Sequence, residues 1–362
     1  MGLSCCPRQC PVLHQALDWG KGGPKGNLSA KGVVASMLLV TGGAGFIGSN
    51  IVASLNEAGR FDIAVNDILG SGQKWRNLAG RQLAEFVPAA DLTRWLEGRK
   101  LDAVVHMGAI SSTTATDVDE LMENNFRLSL RLFDWCAVTR TPFIYASSAA
   151  TYGDGGAGFG DDGSFAALRR LKPLNPYGWS KHLFDLAVVE RVTRRDKVPP
   201  QWAGLKFFNV FGPNEYHKGE MMSLVAKRFA EAKAGGPIRL FKSHRAGVAD
   251  GEQKRDFIYV DDAVAVVRWL LETPEISGIF NVGTGRATSF RELMTALFAA
   301  LGQAPNIEYV DMPAAIRDSY QYFTQAETEN LRRAGFAADF KTVEEGVKSY
   351  ACDYLDRADR FR

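Results

Sequence analysis

Short apolar runs alternate with longer amphipathic stretches from residue 37 onward. The run at 37–40 precedes a glycine-rich turn, and residues 46–58 then carry apolar side chains at helical spacing until Gly59 ends the pattern. Residues 61–65 predict the next strand, which runs into Asp67. A strand, a turn, a helix and a second strand therefore follow one another in this part of the chain.

The same alternation continues through the first half of the chain. Apolar runs at 101–106 and 142–146 predict two more buried strands, with a helical stretch at 118–139 between them. Continuous apolar strands that alternate with helices are typical of a parallel sheet covered on both faces. We therefore predict an α/β fold with a doubly wound parallel sheet.

The alternation loosens after residue 204. Runs at 204–210 and 257–260 predict strands that extend the main sheet. The run at 279–285 and the helices that begin at Ser289 and Thr342 predict a smaller, mixed α/β C-terminal lobe.

These patterns divide the chain into three segments. Residues 37–204 form the predicted main domain, and 205–362 form mainly the second lobe, with some strands returning to the main sheet. Residues 1–36 carry no sustained periodicity, so we expect a disordered extension there, or a true start at Met37.

Composition and charge exclude several classes of partner. The 43 Lys and Arg nearly balance the 41 Asp and Glu, so no global field attracts nucleic acid or an anionic membrane. No apolar run approaches the ~20 residues that span a bilayer. The five cysteines form neither zinc spacing nor a CxxC pair, so we expect no metal site and a reducing, cytoplasmic setting.

The turn after the first strand has the spacing of a dinucleotide-binding loop. Glycines at 42, 43, 45 and 48 let the backbone approach a pyrophosphate at the start of the next helix. Asp67, 19 residues beyond Gly48, is placed to accept hydrogen bonds from a ribose and favours NAD. Lys74 could instead neutralise a 2′-phosphate, so the residues leave NAD and NADP open, as they leave open a turn or cap role for Asp67.

A phenol and an ammonium group lie one helical turn apart at Tyr177 and Lys181. A nearby positive charge lowers the pKa of a phenol, which would make Tyr177 a usable general base. Ser148, at the end of the strand that begins at 142, could hydrogen-bond the reacting alcohol oxygen. This set predicts the oxidation of an alcohol by hydride transfer.

Several motifs together resemble one family, the extended short-chain dehydrogenases/reductases. They are TGGAGFIG from Thr41, HMGA from His106, NN at Asn124, SSAATYG from Ser147, YGWSK from Tyr177, FNVFGP from Phe208 and RDFIYVDD from Arg255. The resemblance covers nearly everything from Met37 onward. It implies a Rossmann domain for a nicotinamide cofactor and a C-terminal lobe for a nucleotide-activated sugar.

Within this family the sequence is most similar to epimerases of ADP-heptose, on the stretches at Ala146, His217, Gly278 and Tyr320. The resemblance implies oxidation of C6 to a ketone and return of hydride to the opposite face. Tyr177 would act on one face and Lys218 on the other. It also implies NADP as cofactor, a cytoplasmic homo-oligomer, typically a pentamer, and a role in lipopolysaccharide core biosynthesis.

The remaining site residues follow from the glycine turn and the same resemblance. The candidate cofactor contacts are Gly42, Gly45, Phe46, Ile47, Gly48, Asp67, Lys74, Met107, Gly108, Ala109, Ile110, Ser111, Asn124, Lys181, Val210 and Lys218. The candidate substrate contacts are Ser148, Asn209, Glu220, Lys227, Phe241, Arg255 and Tyr320. Glu220, Lys227 and the longer loop at 245–252 depart from the family's pattern.

Three other functions would require a different set of residues. A 4,6-dehydratase would carry an acidic pair after Ser148, where this chain has Ala149 and Ala150. A UDP-hexose 4-epimerase would share the catalytic set without needing Lys218, and it stays as the alternative. A non-catalytic binding module would be expected to lose Ser148, Tyr177 or Lys181.

Overall fold

A computed structural model describes residues 37–317 and 320–362 of the chain, so the prediction for residues 1–36 lies outside the described residues. The strands are β1 (Met37–Thr41), β2 (Ile63–Asp67), β3 (Glu85–Pro88), β4 (Leu101–His106), β5 (Phe143–Ser148), β6 (Trp202–Phe207), β7 (Asn209–Phe211), β8 (Ile238–Phe241), β9 (Lys254–Tyr259), β10 (Gly278–Val282), β11 (Ala287–Ser289) and β12 (Ile307–Val310).

The helices are α1 (Phe46–Glu57), α2 (Leu92–Leu96), α3 (Val118–Leu121), α4 (Leu128–Thr139), α5 (Phe165–Leu168), α6 (Pro176–Arg194), α7 (Leu224–Lys233), α8 (Val260–Glu272), α9 (Phe290–Ala300), α10 (Ala314–Arg317), α11 (Glu329–Arg333) and α12 (Val343–Tyr350). Short 3₁₀ helices occupy Lys74–Leu78, Ala89–Asp91, Ala149–Tyr152 and Tyr216–Met221, and π turns occupy Met122–Arg127 and Ala351–Leu355. Within the described ranges, no helix is both long enough and apolar enough to cross a bilayer.

The main sheet has seven parallel strands in the order β10-β6-β5-β4-β1-β2-β3. Successive side chains of a strand point to opposite faces. Leu38 and Val40 of β1 accordingly pack in one buried cluster, and Leu39 packs with Phe143 in another on the other face. Both faces are covered, which confirms the predicted doubly wound α/β fold.

Two strand assignments from the sequence were wrong. Residues 257–260 do not extend the main sheet, because β9 lies between β11 and β7 in a separate three-stranded sheet. The run at 279–285 was placed in the second lobe, but β10 pairs in parallel with β6 at the edge of the main sheet. Both runs are apolar and buried, and periodicity alone does not distinguish which sheet a buried strand joins.

The predicted helix at 118–139 is interrupted by a π turn at Met122–Arg127 between α3 and α4. The helix starts at Ser289 and Thr342 are confirmed. Each of these hydroxyls accepts a hydrogen bond from the backbone three residues on, at Glu292 and Glu345, whose carboxylates bond back to the cap.

Candidate active site

The glycine turn between β1 and α1 is too tightly packed for larger residues. Gly42 has a φ of +65°, and a Cβ at Gly48 would lie 2.1 Å from the Gly42 carbonyl oxygen. Helix α1 begins after Gly45, and in the described part of the chain no side chain caps it. Its first N–H groups are therefore available to an anion, and this close-packed cradle fits a dinucleotide pyrophosphate.

A buried histidine hydrogen-bonds the residue directly before this turn. His106 Nδ1 lies 2.6 Å from Thr41 Oγ1, and Nε2 lies 2.9 Å from Ser129 Oγ. Because the Ser129 hydroxyl donates to the carbonyl of Asn125, Nε2 carries the proton and Nδ1 accepts from Thr41. Burial, and then the charge of Lys181, lower the pKa of His106 to about 3, so the ring stays neutral.

The end of β2 holds the acidic residue predicted for the ribose. Asp67 Oδ2 accepts from the Ala44 backbone at 2.8 Å, and Oδ1 accepts from Lys74 Nζ at 2.5 Å. His217, which the sequence prediction did not include, lines the same cavity, with Nδ1 3.3 Å from Asn77 Nδ2. Its pKa is lowered to about 4 by burial and then by the charges of Lys74 and Lys218, so two lysines lie near this end of the cavity. The one indication of His217 in the sequence is its position directly before the predicted residue Lys218.

Three of the four predicted catalytic groups lie at the carboxyl end of β5. The Ser148 hydroxyl and the Tyr177 phenol line the same cavity, and Ser148 acts on the pKa of the phenol as a hydrogen-bonding group. Tyr177 is in the first turn of α6, which Asn175 caps by accepting from the Gly178 backbone at 2.8 Å. Lys181 Nζ donates to the Ala146 carbonyl at 2.9 Å, one strand position before Ser147.

The electrostatics of Tyr177 differ from the expectation that Lys181 lowers its pKa. Burial is the largest effect and raises the pKa of the phenol above 10.0, the Ser148 hydrogen bond lowers it, and the charge of Asp185 raises it again. Burial also lowers the pKa of Lys181 to about 8. Removal of water from around both groups therefore outweighs the attraction between phenolate and ammonium.

Lys218 enters the same cavity from the 3₁₀ helix Tyr216–Met221. Its Nζ lies 5.0 Å from the centroid of the Phe46 ring and 3.9 Å from Glu215 Oε2. Burial lowers the pKa of Lys218, while the charge of Glu215 acts in the opposite direction. A desolvated amine of this kind is chemically able to exchange a proton.

One cavity of about 550 Å³ connects these groups. The predicted residues that line it are Gly42, Gly45, Phe46, Ile47, Gly48, Asp67, Lys74, Met107, Gly108, Ala109, Ser111, Ser148, Tyr177, Lys181, Asn209, Val210, Lys218 and Lys227. The glycine turn, the carboxylate of Asp67 and the candidate catalytic groups thus share one cleft.

Asn124 and Ile110 are placed differently from the other predicted cofactor residues. Asn124 Nδ2 donates to the Glu120 carbonyl within its own helical segment. The neighbouring Asn125 is fully buried, exchanges two hydrogen bonds with the backbone of Ile110, and donates to Ser180. The π turn shifts which residue faces inward, so a helical pattern did not reveal Asn125.

Three predicted substrate residues form a cluster of their own. The Arg255 guanidinium lies 5.4 Å from the ring centroid of Tyr320, which also packs edge-on against Phe241 at 6.4 Å. Arg255 is 5.7 Å from the ring of Phe290, a residue that lines the cavity. Glu220 is exposed, and its Oε2 lies 3.6 Å from Lys227 Nζ.

Comparison with known proteins agrees with this geometry. The model of the NAD dependent epimerase/dehydratase family matches residues 38–283. The chain belongs to this family.

Similar proteins include epimerases of two nucleotide sugars. The chain is 51% identical over 329 residues to an ADP-L-glycero-D-manno-heptose-6-epimerase of Nitratidesulfovibrio vulgaris, a match that covers 90% of this chain and 100% of that protein. It is similar to the crystal structure of the Helicobacter pylori ADP-L-glycero-D-manno-heptose-6-epimerase, with a TM-score of 0.73, 29% identity, and coverage of 87% and 94% of the two chains. A UDP-glucose 4-epimerase of Thermus thermophilus in complex with NAD has a TM-score of 0.68 at 27% identity, with coverage of 87% and 97%.

Proposed function

We propose that this protein is an ADP-glyceromanno-heptose 6-epimerase, which converts ADP-D-glycero-D-manno-heptose to ADP-L-glycero-D-manno-heptose. The observation that carries the proposal is the arrangement of Ser148, Tyr177 and Lys218 on one cavity with the glycine turn. The names of relatives that match along their full length support the same activity.

The reaction runs through a 6-keto sugar. Tyr177 takes the proton of the C6 hydroxyl while Ser148 holds that oxygen by a hydrogen bond. Lys218 exchanges the proton when the hydride returns to the opposite face, and Lys181 holds the ribose of the cofactor. The bound nicotinamide supplies the remaining chemistry, which is to accept a hydride and give it back, so that none is consumed.

We propose NADP as the cofactor, with NAD as the weaker ligand. Lys74 pairs with Asp67 at the proposed ribose end of the cavity, and Lys74 and Lys218 both lie close enough to His217 for their positive charges to lower its pKa. A 2′-phosphate would find complementary charge there. Without Lys74, the negative carboxylate of Asp67 would repel the 2′-phosphate.

We assign the cofactor mainly to residues 37–204 and the substrate mainly to residues 205–362. Asn209 and Lys227 line the cavity, and Arg255 is suited to a bidentate contact with the diphosphate, between the rings of Phe290 and Tyr320. We further expect a cytoplasmic homo-oligomer, a pentamer, that serves lipopolysaccharide core biosynthesis.

The test is incubation of the purified protein with ADP-D-glycero-D-manno-heptose, with the stereochemistry at C6 followed by NMR. Net conversion to the L-glycero epimer without consumption of added NADP is expected. Tyr177→Phe should lower turnover by about 10²- to 10⁴-fold, the usual contribution of a positioned proton acceptor. Conversion of UDP-glucose to its 4-epimer, with the heptose unchanged, would contradict the proposal.

A further inference from the structure

A buried ion pair lies outside the set of residues assigned to the reaction. Lys206 Nζ of β6 lies 2.8 Å from Asp185 Oδ2 of α6, and the two side chains are 1% and 0% exposed. Neither Lys206 nor Asp185 is among the described residues that line the cavity. Burying two charges is costly even when they are paired, so stability alone is a weak reason for this pair.

Asp185 connects the helix of Tyr177 to the strand of Ser148. Its Oδ2 accepts from Ser147 Oγ at 2.7 Å, and its Oδ1 accepts from the Tyr145 hydroxyl at 3.1 Å. Ser147 directly precedes Ser148. Along α6, Asp185 follows Lys181 by one helical turn, as Lys181 follows Tyr177.

Lys206 holds the segment on the other side of Ser148. Its Nζ donates to Thr151 Oγ1 at 2.6 Å and lies 4.9 Å from the ring centroid of Tyr152. Both residues belong to the 3₁₀ helix Ala149–Tyr152, which Ser148 itself caps by accepting from the Ala150 backbone at 3.1 Å. The ion pair therefore bonds to the chain immediately before and shortly after Ser148.

The Asp185–Lys206 ion pair also affects the electrostatics around Tyr177 and Lys181. The carboxylate of Asp185 raises the pKa of both Tyr177 and Lys181. Lys206 is the cation bonded directly to that carboxylate, so it offsets part of this effect.

We propose that the Asp185–Lys206 ion pair is a positioning element of the epimerase, which fixes Ser148 and balances the charge around Tyr177 and Lys181. The inference rests on the proposed function, because it assumes that Tyr177 is the proton acceptor. Asp185 and Lys206 act through other residues and do not touch the substrate.

Other charged and titratable groups surround this cluster from each neighbouring element. They are His106 of β4, Tyr145 of β5, Tyr152 of the 3₁₀ helix, His182 of α6, Asp161 of the loop before α5 and Lys218 of the second 3₁₀ helix. They are unchanged in the variants described next, so a shift between variants reports the removed charge.

The test compares the pH dependence of turnover in Asp185→Asn and Lys206→Met with that of the unchanged enzyme. Turnover rises with pH as Tyr177 loses its proton. Asp185→Asn removes the negative charge and should move the rising limb to lower pH, whereas Lys206→Met removes the compensating cation and should move it to higher pH. Shifts of roughly one pH unit are expected for charges this close.

Opposite shifts are the signature of a charge-setting pair, because loss of a purely structural contact would lower turnover without moving the two limbs apart. The titration of Tyr177 can also be followed by phenolate absorbance in each NADP-bound protein. The spectrum of the same protein with Tyr177→Phe is subtracted, and the pH midpoints should fall in the same order as the limbs. Limbs that stay together, or move in the same direction, would overturn the inference.

Two further variants keep the test decisive. If a single variant does not fold, Asp185→Asn combined with Lys206→Met removes both buried charges, and it should fold with its limb between those expected for the single variants. Because the two charge effects cancel, the limb of this double variant should stay near that of the unchanged enzyme, while turnover falls because Ser148 is no longer held; normal turnover would overturn the inference. Asp134→Asn breaks the surface ion pair that Asp134 of α4 makes with Arg191 of α6, at 2.6 Å, and should leave the limb in place.

The two levels of the proposal fail in different ways. Failure of the unchanged protein to epimerise ADP-D-glycero-D-manno-heptose would remove the proposed function itself, and normal turnover of Tyr177→Phe would remove Tyr177 as the proton acceptor. Loss of turnover in Tyr177→Phe, together with unmoved limbs in Asp185→Asn and Lys206→Met, would remove only the role of the ion pair.

Discussion

The ammonium group of Lys218 lies 5.0 Å from the centroid of the Phe46 ring. Phe46 is the first residue of α1, the helix that follows the glycine turn, and Lys218 is on the 3₁₀ helix that follows β7. The contact therefore brings a candidate acid/base group from the C-terminal half of the chain to the predicted cofactor turn.

This placement leads to a prediction for Lys218→Arg. Arginine keeps the positive charge and the contact with an aromatic ring, but it does not release its proton in proteins. We expect the affinity for NADP to change little and turnover to fall by about 10²-fold or more. Calorimetric titration with NADP and the NMR assay measure the two effects separately.

The matched control is Lys172→Arg, an exposed lysine in the loop before α6. It should leave both quantities unchanged. Turnover of Lys218→Arg within twofold of the unchanged protein would assign Lys218 to cofactor binding alone.

The ribose end of the cavity gives a prediction for cofactor choice. Lys74→Met removes the partner of Asp67 and a cation from the region proposed for the 2′-phosphate. Because a hydrogen bond to a charged group contributes about 1.5–3 kcal/mol, the Kd for NADP should rise roughly tenfold or more. The Kd for NAD should change less.

Fluorescence titration with both cofactors measures this preference, and Lys100→Met, at an exposed position before β4, serves as the control. An equal loss of affinity for NAD and NADP would show that Lys74 does not select the 2′-phosphate.

Much of the candidate site could be predicted from the spacing of residues that are close together in the sequence. The turn from Gly42 to Gly48 is specified by neighbours in the chain, and Tyr177 and Lys181 share a face because they are one helical turn apart. The strand ends at Asp67 and Ser148 followed from the pattern of a parallel sheet, whose carboxyl ends meet at one edge.

Contacts between residues far apart in the sequence, and local irregularities in a helix, could not be predicted from the sequence in this way. The contact of Lys206 with Asp185 depends on β6 and α6 packing together, and two isolated charges in a sequence give no sign of it. Asn125 was missed because a π turn changes the helical register at that point. β10 was assigned to the wrong part of the fold because its apolar run fits either sheet.

Packing in the cofactor turn predicts a strong effect of one methyl group. Gly48→Ala would place its Cβ 2.1 Å from the Gly42 carbonyl oxygen, so the backbone of the turn must move. Overpacking of this kind typically costs about 1–3 kcal/mol of unfolding free energy. Binding of NADP should weaken as well, because the same backbone forms the pyrophosphate cradle.

Gly80→Ala is the matched control for this change. Across the described part of the chain, no atom lies within 4 Å of the Cβ that it would add. It should be neutral or slightly stabilising, since alanine restricts the unfolded chain. Chemical denaturation of both variants measures the difference, and equal stability would show that the turn can relax.

The neutral histidine under the turn predicts a dependence of stability on pH. Burial lowers the pKa of His106 from 6.5 to about 3. Below pH 6.5 the unfolded chain binds a proton that the folded protein does not bind until about pH 3. The contribution of His106 to folding is therefore complete above pH 6.5 and is lost as the pH falls, by up to about 1.4 kcal/mol per pH unit.

His106→Asn isolates this contribution, because asparagine titrates nowhere in that range and can still hydrogen-bond Thr41. The variant should be less stable at pH 7, but its unfolding free energy should fall less steeply between pH 6.5 and 4 than that of the unchanged protein. His217, whose pKa is also lowered, acts in the same direction in both proteins and cancels in the difference. Urea denaturation at several pH values gives the two curves, with the exposed His244→Asn as control. Parallel curves for His106→Asn and the unchanged protein would mean that the ring is protonated in the folded state, and the hydrogen bond from Thr41 to Nδ1 would then be wrong.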